Sequence, residues 1–141
     1  MDQVIRLSYS YHDIDAVEIH ASAWNGNFGG STLLWVAQGQ LAEIADAISG
    51  FPANVGDIRE VTLGAFGPQF AGGAMSLSFS CIDLAGHCNV MIIIEAEFGK
   101  SSATERAEIL GRFEPAAVDR FVEELRALNA VLRGSASLDL T

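Results

Sequence analysis

Basic residues are scarce in this chain. Of its 141 residues, 8 are lysine or arginine and 18 are aspartate or glutamate, a formal net charge of −10. Nucleic acids and anionic membranes are gripped through a basic footprint, so neither is expected as a direct partner. The shortage is steepest over residues 1–58, where seven acids (Asp2, Asp13, Asp15, Glu18, Glu43, Asp46 and Asp57) face the single base Arg6.

Long apolar runs are missing too. The longest aliphatic run, residues 90–94, is far short of the roughly 20 residues a membrane-spanning helix needs. The opening Met1-Asp2-Gln3-Val4 has neither the basic region nor the apolar stretch of a secretory leader, and a cytoplasmic protein is the expectation. The composition, 50% hydrophobic and 18% charged, is that of a folded chain and not of a disordered one. One α+β domain over residues 1–141 is expected, with residues 1–3 and 135–141 frayed.

Chemistry-bearing motifs are equally sparse. The three histidines, His12, His20 and His87, show no metal spacing. Two glycine-rich stretches, residues 25–30 and 64–73, invite comparison with phosphate-binding loops. The first lacks the lysine and the following helix, and the second runs into a strand, so no helix N-terminus is available for an anion. Both read as hairpin loops. Neither a metal nor a cofactor is expected.

What the chain does have is periodicity. Val17, Ile19, Ala21 and Ala23 alternate with Glu18, His20, Ser22 and Trp24, the period of a half-buried strand. A turn at residues 25–30 leads to a returning strand at 31–37, and pairing Ala23 with Thr32 keeps one face apolar. Ile5, Leu7 and Tyr9 mark an earlier strand over residues 4–10. Leu41, Ile44, Ala45 and Ile48 fall on one stripe of a helix at 40–48, which Gly50 terminates. Residues 58–66, 74–83, 87–98 and 104–113 read as four further strands, although 105–110 also fits a short helix. Pro115 opens a final helix whose stripe is Val118, Phe121, Val122, Leu125, Leu128 and Leu132. The expected architecture is one antiparallel sheet of six to seven strands with two amphipathic helices, in the order β-β-β-α-β-β-β-β-α. A constant offset of 77 relates the two apolar stripes, a faint sign of two strand-then-helix halves.

Register in the second hairpin is argued from its faces. Setting Asp83 opposite Cys88 pairs Cys81 with Val90, Phe79 with Ile92, Leu77 with Ile94 and Met75 with Ala96, whereas a slip of one residue would bury serines. Cys81 and Cys88 then become diagonal neighbours about 7–8 Å apart, at or beyond disulfide reach. Two reduced, packed thiols are expected. Met91 and Ile93 point away from the core face, so that patch is covered or is an interface.

Two sets of polar residues invite a catalytic reading. Glu18, His20 and Ser22 share a strand face, but alternate residues sit about 6.6 Å apart with parallel side chains, too far for a nucleophile and its base. An ordinary polar sheet face is the simpler account. Glu95 and Glu97 also share a face, with Ser76 opposite Glu95. Paired carboxylates can hold a hard cation or move protons, yet no third ligand converges on them, and a solvated strand end explains them as well. Ser76, Ser78 and Ser80 form a small polar stripe that leaves room for a helix or a partner. The expectation is a protein without enzymatic activity.

The strand-to-helix step at residues 35–41, the turn Asp83-Leu84-Ala85-Gly86-His87 with its aliphatic return, and Arg112-Phe113-Glu114-Pro115 before the last helix carry a family resemblance. Over roughly residues 14–130 the chain resembles the WapI-type immunity proteins of contact-dependent toxin systems, and a related uncharacterised actinobacterial family (DUF6228). It departs from that pattern in the glycine-rich insert at 64–73 and in the start of the final helix. The resemblance implies a bacterial protein that binds and neutralises a cognate toxin, often a nuclease, and carries over no catalytic residues. Acidity fits independently, since an acidic inhibitor can occlude a basic cleft with electrostatically steered association. The candidate contact residues are Asp13, Asp15 and Glu18, with Glu95 and Glu97 second. The competing expectation is self-association, as a homodimer, through Met91 and Ile93.

Overall fold

The alternating segments become strands. In the computed structural model, which describes residues 2–83, 85–99 and 103–141, β1 (Val4–His12), β2 (Ala16–Trp24) and β3 (Gly29–Ala37) form one antiparallel meander and lead into α1 (Gln40–Ile48). A second meander follows, β4 (Arg59–Gly64), β5 (Ala74–Cys81), β6 (Cys88–Glu95) and β7 (Arg106–Phe113). The chain then forms α2 (Pro115–Val131) and a last strand, β8 (Ser135–Asp139). The turn expected at residues 84–87 includes Leu84, which lies outside the described residues.

The α+β class and the antiparallel pairing stand, but the single sheet does not. There are two sheets of four strands, ordered β3-β2-β1-β8 and β4-β5-β6-β7. The division falls at β3, which crosses the second meander instead of pairing with it. The Cβ position of Gly30 lies 3.8 Å from both Ile94 and Ala107, and that of Gly64 lies 3.2 Å from Leu34. A Cβ at Gly73 would fall on Thr32 Oγ1 and on the carbonyl oxygen of Glu95. Strand β3 therefore runs across one end of β7, β6, β5 and β4 in turn and forms the corner between the two sheets. The Gly73 amide donates to Leu33 O at 2.8 Å and fastens that corner. The glycine-rich stretch at 64–73, expected as a hairpin loop, is also this joint: a side chain at position 73 would hold the two sheets apart.

The expected frayed tail is a correction as well. Strand β8 pairs with β1 from Val4↔Asp139 to Ser8↔Ser135, and Ala136, Leu138 and Leu140 are buried. Leu140 N–H donates to Gln3 O at 3.0 Å, so Gln3 is held too. The outward amide of Ser137 finds the Glu124 carboxylate at 2.9 Å, so α2 guards this edge.

Both helices form where the apolar stripes place them. Leu41, Ile44, Ala45 and Ile48 of α1 are buried, as are Val118, Phe121, Val122, Leu125 and Leu128 of α2. Arg59 terminates α1 by donating to Ser49 O at 2.7 Å and Ala47 O at 3.3 Å. The inner faces of both sheets and both helix stripes meet in one core, where the rings of Phe51, Phe79 and Phe113 lie 5.7–6.1 Å apart.

Both hairpins keep their expected faces but pair two residues away from the expected register. Ala23 faces Gly30 and Ala21 faces Thr32. Phe79 faces Val90, Leu77 faces Ile92, and Ala74, not Ser76, faces Glu95. The shift brings Cys81 directly opposite Cys88, with Cα atoms 4.0 Å apart, and the two are joined as a disulfide where reduced thiols were expected.

Candidate functional site

The outer face of the first sheet is laid out in rows by its register. Gly29, Trp24, Val4 and Asp139 form the first row, and Ser31, Ser22, Arg6 and Ser137 the second. Leu33, His20, Ser8 and Ser135 form the third, and Trp35, Glu18 and Tyr11 the fourth. Glu18, His20 and Ser22 thus sit in successive rows, about 6.6 Å apart, and the structure does not bring them together. His20 faces Leu33, and Glu18 faces Trp35.

The fourth row is where acid and aromatic residues gather. A bulge in β1 between Tyr9 and Tyr11 leaves Ser10 and Tyr11 together opposite Glu18. Ser10 Oγ donates to Glu18 Oε1 at 2.9 Å, and the rings of Tyr11 and Trp35 meet edge to face at 6.2 Å. Immediately beyond is the β1–β2 turn. There Asp13 Oδ1 accepts the amides of Asp15 and Ala16, each at 2.8 Å. Those two amides hold the Asp13 carboxyl below its ordinary pKa. Ile14 stands between Asp13 and Asp15 with 89% of its surface in solvent, Tyr11 is 56% exposed, and Leu33 is 47% exposed.

Glu95 and Glu97, the second acidic pair, are engaged within the fold. Glu95 is 6% exposed. It accepts the Gly67 amide at 2.8 Å and pairs with Arg106 at 2.9 Å, while Arg106 lies over the Phe66 ring. Glu97 accepts the Gly72 amide at 3.1 Å. The two carboxylates fasten the segment at 64–73. Met91 and Ile93 lie half-buried on the outer face of the second sheet, paired with Ser78 and Ser76 on one side and with Leu110 and Glu108 on the other.

A cavity of about 720 Å³ opens where the β5–β6 turn meets the start of α2, lined by His87, Asn89, Arg112, Glu114 and Thr141 among others. His87 Nδ1 lies 2.8 Å from Asp83 Oδ2 and fastens the turn; that bond, with the Ala85 amide, lowers the Asp83 pKa. Asn89 Oδ1 is buried and has no partner among the described residues. Sequence reasoning singled out His87 here but not Asn89 or Arg112, which become neighbours only through the β6–β7 pairing. Among the described residues no group of three or more His, Cys, Asp or Glu side chains is placed to hold a metal ion, and no helix is long and apolar enough to cross a membrane.

The fold defines the class, an α+β domain of two antiparallel sheets that share one core with two helices. No family model matches the chain, and no curated protein or solved structure is significantly similar to it.

Proposed function

We propose that this chain is a non-enzymatic protein-binding module that docks a basic partner on the fourth-row end of its first sheet. The carrying observation is the mixture on that surface. Tyr11, Ile14 and Leu33 are exposed among Asp13, Asp15 and Glu18, and Trp35 packs beside them. Exposed aromatic and aliphatic groups supply the centre of a protein interface, and charges around them set partner choice and on-rate. Neutralisation of a basic toxin is the sharpest form of this reading. The net charge of −10 supports it, as does the resemblance to immunity proteins.

The test is capture of the tagged chain's partner from its native lysate at low and high salt, followed by association kinetics. A stoichiometric basic protein released progressively by salt supports the reading. Changing Asp13, Asp15 and Glu18 together to lysine then slows association, and an unchanged rate would show that the contact face lies elsewhere.

A second reading rests on Met91 and Ile93. With Leu110 they form an apolar strip on the outer face of the second sheet, fit for self-association. Light scattering decides it: a dimer that Ile93→Asp turns into a monomer supports this reading, and a strict monomer at high concentration removes it.

The cysteine pair bears on where the module works. Disulfides persist in oxidising surroundings and are rare in the cytosol, so the Cys81–Cys88 bond weighs against the cytoplasmic expectation. Alkylation of the thiols in intact cells is the measurement that places the protein.

A further inference from the structure

We propose that Tyr11, Glu18 and Trp35 form a receptor for one arginine side chain. This deepens the docking reading and rests on it for the arginine's belonging to a protein partner. The chemistry of the receptor stands on its own geometry.

The three residues come from three adjacent strands, with Tyr11 opposite Glu18 and Glu18 opposite Trp35. Two strand spacings separate the backbones of Tyr11 and Trp35 by about 10 Å, yet their ring centroids are 6.2 Å apart with planes at 88°. The rings therefore lean toward each other above β2. In an unbroken β1, Tyr11 would share the inward parity of Tyr9, and the bulge is what turns it outward. The same bulge sets Ser10 Oγ on Glu18 Oε1 at 2.9 Å, which steers the carboxylate to the β1 side, beside Tyr11. Trp35 is propped from the other side, since the Cβ position of Gly72 lies 3.1 Å from its Cδ1.

Two aromatic rings 6.2 Å apart and a carboxylate on the strand between them match a guanidinium, which stacks on a ring while its edge pairs with the carboxylate. A lysine ammonium is a point charge and uses only half of this arrangement. Asp13 and Asp15, in the turn just beyond, add attraction for the same sign of charge. Trp24 lies at the opposite end of the face, three rows and about 20 Å away, with Arg6 in the adjoining row. It is an internal control.

The test is a titration of the full chain with N-acetyl-arginine methylamide, followed through the indole N–H resonances at low salt and assigned with Trp35→Phe. The matched lysine and citrulline compounds run in parallel. The proposal expects the Trp35 resonance to move with arginine, to move less with lysine, and to stay still with citrulline, while Trp24 does not respond. Glu18→Gln and Tyr11→Leu should each weaken binding about three- to five-fold, with the unchanged Trp24 resonance reporting that the fold is intact. A Trp35 response to citrulline equal to that for arginine, an equal response at Trp24, lysine bound as tightly as arginine, or indifference to both substitutions would each overturn it. The two readings fail separately. A basic protein that binds although the arginine compound does not would remove the receptor and keep the docking module. Arginine binding without any basic partner from the lysate would support the receptor and remove that docking reading.

Discussion

Glu95 Oε1 accepts a 2.8 Å hydrogen bond from the Gly67 amide, so a buried carboxylate on β6 pins a loop that lies 28 residues away in sequence. Its other oxygen pairs with Arg106 at 2.9 Å. Replacing Glu95 by alanine removes the acceptor from both donors and should cost about 1–3 kcal/mol in urea unfolding. Glu95→Gln keeps an acceptor for Gly67 and should cost less. Hydrogen exchange localises the effect: the Gly67 amide is protected in the parent chain and exchanges rapidly in the alanine variant. Unprotected exchange in the parent would refute the pinning.

Removing residues 135–141 tests the last strand. The deletion takes Leu138 and Leu140 from the core and strips β1 of a pairing partner. Two buried leucines account for about 3–6 kcal/mol, a large part of the stability of a typical domain. The truncated chain should be unfolded or melt far below the parent by circular dichroism. An unchanged melting temperature would return the segment to the status of a tail.

Acid should weaken the fold in a definite window. Arg59 and the Ala53 amide hold the Asp57 pKa down, as His87 and the Ala85 amide do for Asp83. A carboxyl whose pKa is depressed on folding contributes stability above its unfolded value, about 3.9 for aspartate, and loses it as the pH falls through the folded value. The melting temperature should therefore hold between neutrality and about pH 5 and fall below about pH 4. Asp57→Asn should make that fall shallower; a decline as steep as the parent's would assign the acid sensitivity elsewhere.

The cysteine bridge predicts that the purified chain takes up alkylating agent at Cys81 and Cys88 only after reduction. Closing so short a loop contributes about 2 kcal/mol in the chain-entropy account, so a reductant should lower the unfolding midpoint of the parent. It should leave a Cys81→Ser/Cys88→Ser double variant unmoved. Free alkylation of the untreated protein would contradict the bridge.

The same bridge shows what could be read from the sequence and what could not. Alternation fixed which residues of β5 and β6 face inward, because a slip of one residue would turn Ser76 and Ser78 into the core. A slip of two changes no face, so alternation is blind to it, and the turn alone decides between the two pairings. Both hairpins fell into that blind spot, and with the second went the contact between Cys81 and Cys88. The boundary between the sheets was hidden for another reason. It depends on Gly73 meeting Thr32 and Gly64 meeting Leu34, approaches between segments whose order gives no hint of them. Strand β8 was legible in principle, since Ala136, Leu138 and Leu140 alternate with small or polar neighbours, but five residues make a weak pattern. In the candidate site, the acids Asp13, Asp15 and Glu18 were visible. The outward turn of Tyr11 was not, because a bulge is one extra residue that no periodicity announces.

Strand β8 also gives the molecule a temporal property. Its partner β1 begins at Val4, so the first sheet joins two strands that lie far apart along the sequence. On a ribosome β1 waits with one edge bare while the second meander and both helices emerge, and its closing partner β8 follows them. Pairing across that separation favours slow folding. The sheet that carries Tyr11, Glu18 and Trp35 is thus completed only once β8 has been synthesised.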